Sequence, residues 1–287
     1  MLGKLLEFLY PSSCTVCGSK HNLSSDGLFC LSCYPRRSVA ASESTPYGLP
    51  EMMSGFARGC SRCGEQVTVH NSSAAICVAC AVWPLPIGQL RSQFCYEGSI
   101  EAAIKAMKYN GQRRLISFFA EHLADDLALP GTMFDAGGSQ VQCCDFWDLL
   151  VPVPSTLESL KNRGYGHTAF IARKTAYALN ITADVTVLRS IRSRKRQVDC
   201  SPEERFHNVA DCFGAKSSRI KGRRILLLDD VLTTGATITS AAAALLDAGA
   251  RSVDAITIAR SRKFRSLRLI RSGTADFQTD KAIGWDE

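Results

Sequence analysis

Two adjacent acids stand at the end of a strongly apolar run, and hydroxyl-bearing residues follow them within a few positions. The run reads ILLLDDVLTTGAT from Ile225 to Thr237, with the acids at Asp229 and Asp230. Carboxylates at the carboxyl end of a strand can accept hydrogen bonds from the vicinal hydroxyls of a sugar, and we expect both to be surface groups that serve a ligand and not the core. The turn that opens the next helix can bind a phosphate through its backbone N–H groups and hydroxyls: Thr233, Thr234, Gly235, Ala236 and Thr237. The stretch therefore predicts a sugar-phosphate site.

Eight of the thirteen cysteines form four Cys-x-x-Cys pairs: Cys14/Cys17, Cys30/Cys33, Cys60/Cys63 and Cys77/Cys80. Two such pairs supply the four thiolates of a tetrahedral zinc site, so the repeat predicts a double zinc ribbon with about two structural zinc ions. We expect zinc removal to unfold residues 1–90 and to leave the rest of the chain folded. Two arrangements stay open: neighbouring pairs share an ion, or pairs one and three alternate with pairs two and four.

The elements that must position the two acids follow from the hydrophobic pattern. A short strand and two helices are predicted over residues 92–129, the second helix with Leu115, Phe118, Phe119, Leu123 and Leu127 on one face. The rest predicts a strand over 145–154, a helix over 166–179, strands over 185–188 and 223–232, a helix over 236–249 and a strand over 252–260. Strands that alternate with helices indicate an α/β fold, with a parallel sheet flanked by helices.

The composition limits the class of protein. A hydrophobic content of 46% is enough for a core, and no run of eighteen apolar residues predicts a membrane span. The start MLGKLLEFLY predicts an amphipathic helix and not a signal peptide. We expect a cytoplasmic protein whose thiols stay reduced, which disfavours the alternative of a disulfide framework.

The acid and threonine stretch resembles the phosphoribosyl-pyrophosphate signature of type I phosphoribosyltransferases. Up to about Arg260, the chain resembles the ComF family of competence-associated phosphoribosyltransferase-like proteins in the order of its features: the amphipathic start, the cysteine pairs, YEGSIEAAIKAMKYNGQRRL, LLVPVPSTLESLKNRGYGHTAFIA and KRQVDCSPEERFHNVADCF. The resemblance implies a small double zinc-ribbon domain over 1–90, a type I phosphoribosyltransferase fold over 91–262 and a C-terminal tail over 263–287.

By this resemblance, Asp229 and Asp230 bind the ribose hydroxyls of phosphoribosyl pyrophosphate, which binds with magnesium, and residues 233–237 bind its 5′-phosphate. Arg163 and Gly164 match the Arg-Gly of the loop that faces pyrophosphate.

The same family has a basic mobile segment that covers the site, and Lys195 and Arg205 match it as the candidate catalytic residues. The chain departs from the family at Gly166 and His167, where the family usually has Asn-Gln. We expect a surface or helix-capping role for His167.

The positive charge is concentrated near the signature. Residues 189–224 contain eleven Lys or Arg against four Asp or Glu, an excess of seven positive charges that equals the formal net charge of the chain, +7. Residues 259–272 contain six cations and no acid. The first segment is typical of a flap that closes on a polyanion, and the second could contact nucleic-acid phosphates.

Two functions follow. One is a glycosyltransferase that moves the phosphoribosyl group, a pentosyl unit, to a nitrogen nucleophile. The other is a non-catalytic protein that senses the ligand and binds single-stranded DNA or a helicase partner.

Overall fold

The computed structural model describes residues 13–35, 60, 62–63, 76, 80–81, 85–128, 146–156, 160–161, 164–191 and 212–261. Several predicted features lie outside these residues: the N-terminal helix, Cys77, Arg163, Lys195, Arg205 and the tail. None of the described helices combines the length and the apolar composition that crossing a bilayer requires.

The described elements alternate between strand and helix along the chain. In chain order they are β1 (Leu90–Cys95), α1 (Gly98–Tyr109), α2 (Arg114–Ala128), β2 (Leu149–Pro152), α3 (His167–Ala178), β3 (Thr182–Ala183), β4 (Leu188–Ser190), β5 (Phe213–Ala215), β6 (Arg224–Leu232), α4 (Ala236–Asp247) and β7 (Ser252–Arg260). A short 3-10 helix, Ser217–Arg219, lies between β5 and β6. The predicted α/β class is confirmed.

Five of the strands form one parallel sheet in the order β1-β7-β6-β2-β3. In its centre, β6 pairs with β7 from Arg224↔Ser252 to Leu232↔Arg260 and with β2 from Leu149↔Ile225 to Pro152↔Leu228. The apolar run of β6 is buried because helices cover both faces of the sheet, as in other parallel sheets. This sheet brings the carboxyl ends of β2 and β6 side by side.

Two cores lie on the two faces of the sheet. One contains buried residues of α1, α2 and α3, and the other contains buried residues of α4 and of the β4–β5 region. The predicted apolar face of α2 is buried at all five positions: Leu115, Phe118, Phe119, Leu123 and Leu127. The helices therefore pack as their periodicity predicts.

The strand predicted over residues 185–188 is wrong in its position. The fifth strand of the sheet is Thr182–Ala183, whereas Leu188–Ser190 pairs antiparallel with β5 outside that sheet. Between them the Asp184 side chain accepts hydrogen bonds from the backbone N–H and the hydroxyl of Thr186, both at 2.9 Å. Such a side-chain turn competes with strand pairing and interrupts the apolar alternation.

The first cysteine-rich segment packs into the α/β core. Phe29 is fully buried, with its ring centroid 5.0 Å from that of Phe118 on α2, and Leu28 belongs to the same core. The Arg114 guanidinium also donates to the carbonyl of Asp26. The expectation that this segment unfolds without affecting the rest of the chain is therefore revised, because its unfolding would expose part of the shared core.

Candidate functional site

A cavity of about 310 Å³ opens at the carboxyl ends of β2 and β6. The signature contributes Asp229, Asp230, Val231, Thr233 and Thr237 to its wall. The segment after β2 contributes residues 153–156, the start of α3 contributes His167 and Thr168, and Tyr96 and Lys108 come from β1–α1. Open parallel sheets bind ligands at this edge.

The turn between β6 and α4 is shaped by Gly235. This residue caps α4 with a φ of 79°, in the left-handed region that glycine adopts without steric cost. Beside it, the Thr234 hydroxyl accepts a hydrogen bond of 3.3 Å from the backbone N–H of Ala236. The N-terminus of α4 thus lies next to the cavity that Thr233 and Thr237 line. Helix N-termini attract phosphate because their backbone N–H groups are unpaired and the helix dipole is positive there.

The two acids differ in their surroundings. Asp229 accepts a hydrogen bond of 2.8 Å from the backbone N–H of Asp230. The Asp230 side chain is only 14% exposed, and its Oδ2 atom contacts Lys108 Nζ at 2.8 Å and His167 Nε2. The expectation that both acids are surface groups is therefore wrong for Asp230.

The charges around Asp230 keep it ionised. Burial alone would raise the pKa of this carboxyl, but the hydrogen bond with His167 and the positive charge of Lys108 outweigh burial and hold the pKa well below its usual value. An ionised carboxylate can accept hydrogen bonds from ligand hydroxyls.

His167 does not have the surface role that its sequence position suggested. It is the first residue of α3, only 2% exposed, and its ring contacts Asp230. The sequence contained one signal for this, since His167 shares a helix face with Ile171 and Thr175, which are both buried. A polar residue on the buried face of a helix needs a partner.

Lys108 is a site residue that sequence reasoning missed. It lies in the last turn of α1, one and two helical turns after Ile104 and Ile100, so it continues the buried face of that helix. Tyr96 was missed as well; burial and the nearby charge of Glu101 raise the pKa of its hydroxyl, which favours the protonated form.

Gly164 is exposed with a φ of 73° and is not among the residues that line the cavity. Ser155 and Thr156, in the same predicted pyrophosphate loop, do line it. The structure thus brings the first residues of this loop, the acids and the threonine turn to one cavity.

The first two cysteine pairs meet in one cluster: Cys14, Cys17, Cys30 and Cys33, whose Sγ atoms lie within 4.8 Å of one another. The Sγ atoms of Cys17 and Cys30 are 3.7 Å apart. In a tetrahedron with zinc–sulfur bonds of about 2.3 Å, two sulfurs are separated by about 3.8 Å. The cluster therefore has the dimensions of a four-sulfur zinc site.

The thiols of this cluster differ in their tendency to ionise without a metal: burial and the hydrogen bonds with Cys17 and Cys30 raise the pKa of Cys33 to about 12, whereas Cys14 ionises readily. Burial raises the pKa of Cys14, but the backbone N–H groups of Cys17, Cys30 and Val16 outweigh it and lower that pKa to about 6. The thiolate is the form that binds metals.

The later pairs also come together. Cys60, Cys63 and Cys80 form a second buried cluster, and Cys77 lies outside the described residues. Neighbouring pairs therefore cluster, which selects one of the two arrangements left open by the spacing. This cluster adjoins the sheet, because the carbonyl of Arg62 accepts a hydrogen bond from Leu90 at 2.7 Å.

Known proteins resemble this chain over most of its length. The family described as "Phosphoribosyl transferase domain" matches residues 166–279. Competence protein ComFC of Bacillus subtilis is 27% identical over 212 residues, which cover 70% of this chain and 78% of that protein. DNA utilization protein YhgH of Salmonella typhimurium is 23% identical over 202 residues, which cover 70% of this chain and 84% of the relative.

Solved structures also show similarity. A glutamine phosphoribosylpyrophosphate amidotransferase from Bacillus subtilis is 20% identical with a TM-score of 0.34, over 58% of this chain and 31% of that one. This chain thus spans about a third of the amidotransferase. An adenine phosphoribosyltransferase from Leishmania donovani is 16% identical with a TM-score of 0.35, over 61% of this chain and 65% of that one.

Proposed function

We propose that this chain, which belongs to the ComF family and carries a phosphoribosyltransferase-like domain, binds phosphoribosyl pyrophosphate with magnesium in the cavity at the end of β6. The observation that carries the proposal is the meeting of two acids and a threonine-rich helix N-terminus in one cavity. Asp229 and Asp230 would accept hydrogen bonds from the ribose hydroxyls, and residues 233–237 would bind the 5′-phosphate.

Other walls of the cavity suit the rest of the ligand. Ser155 and Thr156 offer hydroxyls where the pyrophosphate would lie, and Arg163 and Gly164 would extend this loop. The acids at the cavity also fit magnesium, a hard cation that prefers oxygen ligands and binds with substrate phosphates. Magnesium would supply positive charge to the leaving pyrophosphate.

The reaction supported best is a transfer at C1 of the ribose. The bond between C1 and the pyrophosphate oxygen breaks, the electron pair leaves with pyrophosphate, and a nitrogen nucleophile forms a bond to the opposite face of C1. The acids would hold the sugar while positive charge develops on it. Lys195 and Arg205, in the basic segment, would neutralise the departing pyrophosphate.

Calorimetric titration of the full chain with phosphoribosyl pyrophosphate and magnesium tests the binding. We expect the double substitution Asp229→Asn and Asp230→Asn to abolish detectable binding. Asp247→Asn, at the exposed far end of α4, is the matched control and should bind as wild type does. Wild-type protein that binds no phosphoribosyl pyrophosphate, or a double variant that binds it normally, would contradict the proposal. A pyrophosphate-release assay across nitrogen acceptors then tests transfer.

A second candidate is a protein that senses the same ligand and binds single-stranded DNA or a helicase partner. It is favoured by a relative whose name is DNA utilization protein, and by the six cations of residues 259–272. Replacement of Arg194, Lys195 and Arg196 by Ala separates the two functions. A flap role predicts weaker phosphoribosyl-pyrophosphate binding, whereas a nucleic-acid role predicts a salt dependence of DNA binding that flattens by about one unit of slope per lost phosphate contact.

The two cysteine clusters support a further part of the proposal, namely about two structural zinc ions per chain. Metal analysis of protein purified without chelator should find them, and Cys30→Ser should lower the content to about one. Cys95→Ser, a cysteine outside both clusters, is the matched control and should leave the content unchanged. Wild-type protein that is folded and free of zinc would contradict this assignment.

A further inference from the structure

Two side chains from distant parts of the chain converge on one oxygen of Asp230. Lys108, in the last turn of α1, and His167, at the start of α3, both contact Oδ2. An ionised carboxylate only accepts hydrogen bonds, so His167 Nε2 must carry a hydrogen and donate it, as the Lys108 ammonium does. Two donors on one oxygen restrict rotation of the carboxylate group.

We propose that Lys108 and His167 are positioning residues that hold Oδ2 of Asp230, so that Oδ1 accepts a hydrogen bond from a ribose hydroxyl of phosphoribosyl pyrophosphate. This inference rests on the proposed function and extends the site to a residue far upstream of the signature. Lys108 also brings a positive charge to the wall of the cavity that would receive a polyanion.

A neighbouring lysine shows why Lys108 is more than a surface cation. Lys105, on the same helix, pairs with Glu101 at 2.8 Å, with its side chain 59% exposed. Lys108 pairs with Asp230 at the same distance, but its side chain is only 16% exposed. Water screens the first pair, whereas removal of one partner from a largely desolvated pair leaves an uncompensated charge.

The surroundings hold Lys108 in place. The Tyr165 hydroxyl, in the loop before α3, donates a hydrogen bond to the carbonyl of Met107, the residue before Lys108. The guanidinium of Arg113 lies 4.9 Å from the centre of the Tyr165 ring. These contacts join the end of α1 to the loop that leads into His167, so the two positioning residues share one support.

Lysine-to-methionine substitutions test the role of Lys108, because methionine keeps a long unbranched side chain and removes the charge. In calorimetric titration with phosphoribosyl pyrophosphate and magnesium, Lys108→Met should bind at least about tenfold more weakly than wild type. Lys105→Met is the matched control and should bind within about twofold of wild type. Circular dichroism and thermal unfolding of each variant establish that it is folded.

Substitutions of His167 test whether the donated hydrogen bond matters. His167→Leu should weaken binding by about tenfold, whereas His167→Gln should restore binding to within about threefold of wild type, because its amide N–H can donate to Oδ2. A role in packing alone would not favour the polar glutamine over leucine. Equal affinity of Lys108→Met, His167→Leu and wild type would overturn the inference.

A double-mutant cycle separates this inference from the proposed function. Thermal unfolding without ligand of Lys108→Met, Asp230→Asn and the double variant measures the contact alone, and we expect clearly non-additive effects. Additive effects would overturn the positioning role even if wild type binds phosphoribosyl pyrophosphate. Wild type that binds none would overturn the proposed function and the assignment of Oδ1 to ribose, while a non-additive cycle would keep the Lys108–Asp230 contact.

Discussion

Two aspartates with little exposed surface lie at opposite ends of neighbouring strands in the sheet: Asp254 is buried and the Asp230 side chain is 14% exposed. Asp230 is near the carboxyl end of β6, and Asp254 is near the amino end of β7. Asp230 contacts two side chains that donate to it, the Lys108 ammonium and the His167 ring. Asp254 instead accepts neutral hydrogen bonds, from the Trp147 indole N–H at 2.9 Å and from the backbone N–H of Gln89 at 2.7 Å.

The difference in partners shifts the pKa values of the two carboxyls in opposite directions. Burial raises the pKa of Asp254, and the hydrogen bonds and the charge of Arg91 offset this only in part. At Asp230 the partners outweigh burial and lower the pKa. Asp254 links the segment that precedes β1, through Gln89, to the segment that precedes β2, through Trp147. Asp230 instead faces a cavity. Burial alone therefore does not distinguish a candidate ligand-binding acid from a structural one; the partners of the acid and an adjacent cavity do.

The largest expected effect is the difference in ligand affinity between the two sites. Asp230→Asn should weaken binding of phosphoribosyl pyrophosphate by about 100-fold, since it removes a charged acceptor and leaves Lys108 without its counter-charge. Asp254→Asn should change affinity by less than about twofold. Calorimetric titration of both variants measures this difference, and equal losses would show that the two acids have no separate roles.

The second effect is on stability, where Asp254 should matter more than an exposed acid. Asp254→Ala should lower the free energy of unfolding by about 2 kcal/mol, because the buried N–H groups of Trp147 and Gln89 lose their acceptor. Asp247→Ala, at an exposed position, should change it by less than about 0.5 kcal/mol. Urea unfolding of the three proteins measures the two differences; a loss at Asp254 no larger than at Asp247 would remove its structural role.

Sequence reasoning predicted the elements whose pattern lies within one stretch of the chain. The acids, the threonine turn and the strand that carries them form one continuous stretch, and local periodicity was enough to predict β6 and α4. It failed where the partner comes from elsewhere: Lys108 and His167 reach Asp230 only after α1 and α3 have packed on the sheet. Their sole local signal is a polar residue on the apolar face of a helix, and this signal does not identify the residue that each one contacts.

The third effect is the pH dependence that Asp254 confers on stability. Because its pKa is raised in the folded protein, the folded state holds this proton more tightly than the unfolded state, so the contribution of Asp254 to stability falls as pH rises above the usual value of 3.8. The unfolding free energy of wild type minus that of Asp254→Asn should therefore decrease from about pH 4 until Asp254 is ionised, with a slope of at most about 1.4 kcal/mol for each pH unit. Urea unfolding between pH 4 and 8 measures the difference; one that rises with pH would contradict the assignment.

The smallest effect concerns the support that Asp230 has and Asp254 lacks, namely the Tyr165 contact with α1. Tyr165→Phe removes the hydroxyl that donates to Met107 but keeps the ring on which Arg113 stacks. Because Lys108 remains tethered by its helix and by Asp230, we expect only about two- to threefold weaker binding of phosphoribosyl pyrophosphate, with little change in melting temperature. Tyr177→Phe, on α3 with 90% of its surface exposed, is the matched control and should bind as wild type does. If Tyr165→Phe also matches wild type while Lys108→Met binds weakly, the hydroxyl has no part in positioning, and the helix alone holds Lys108 against Asp230.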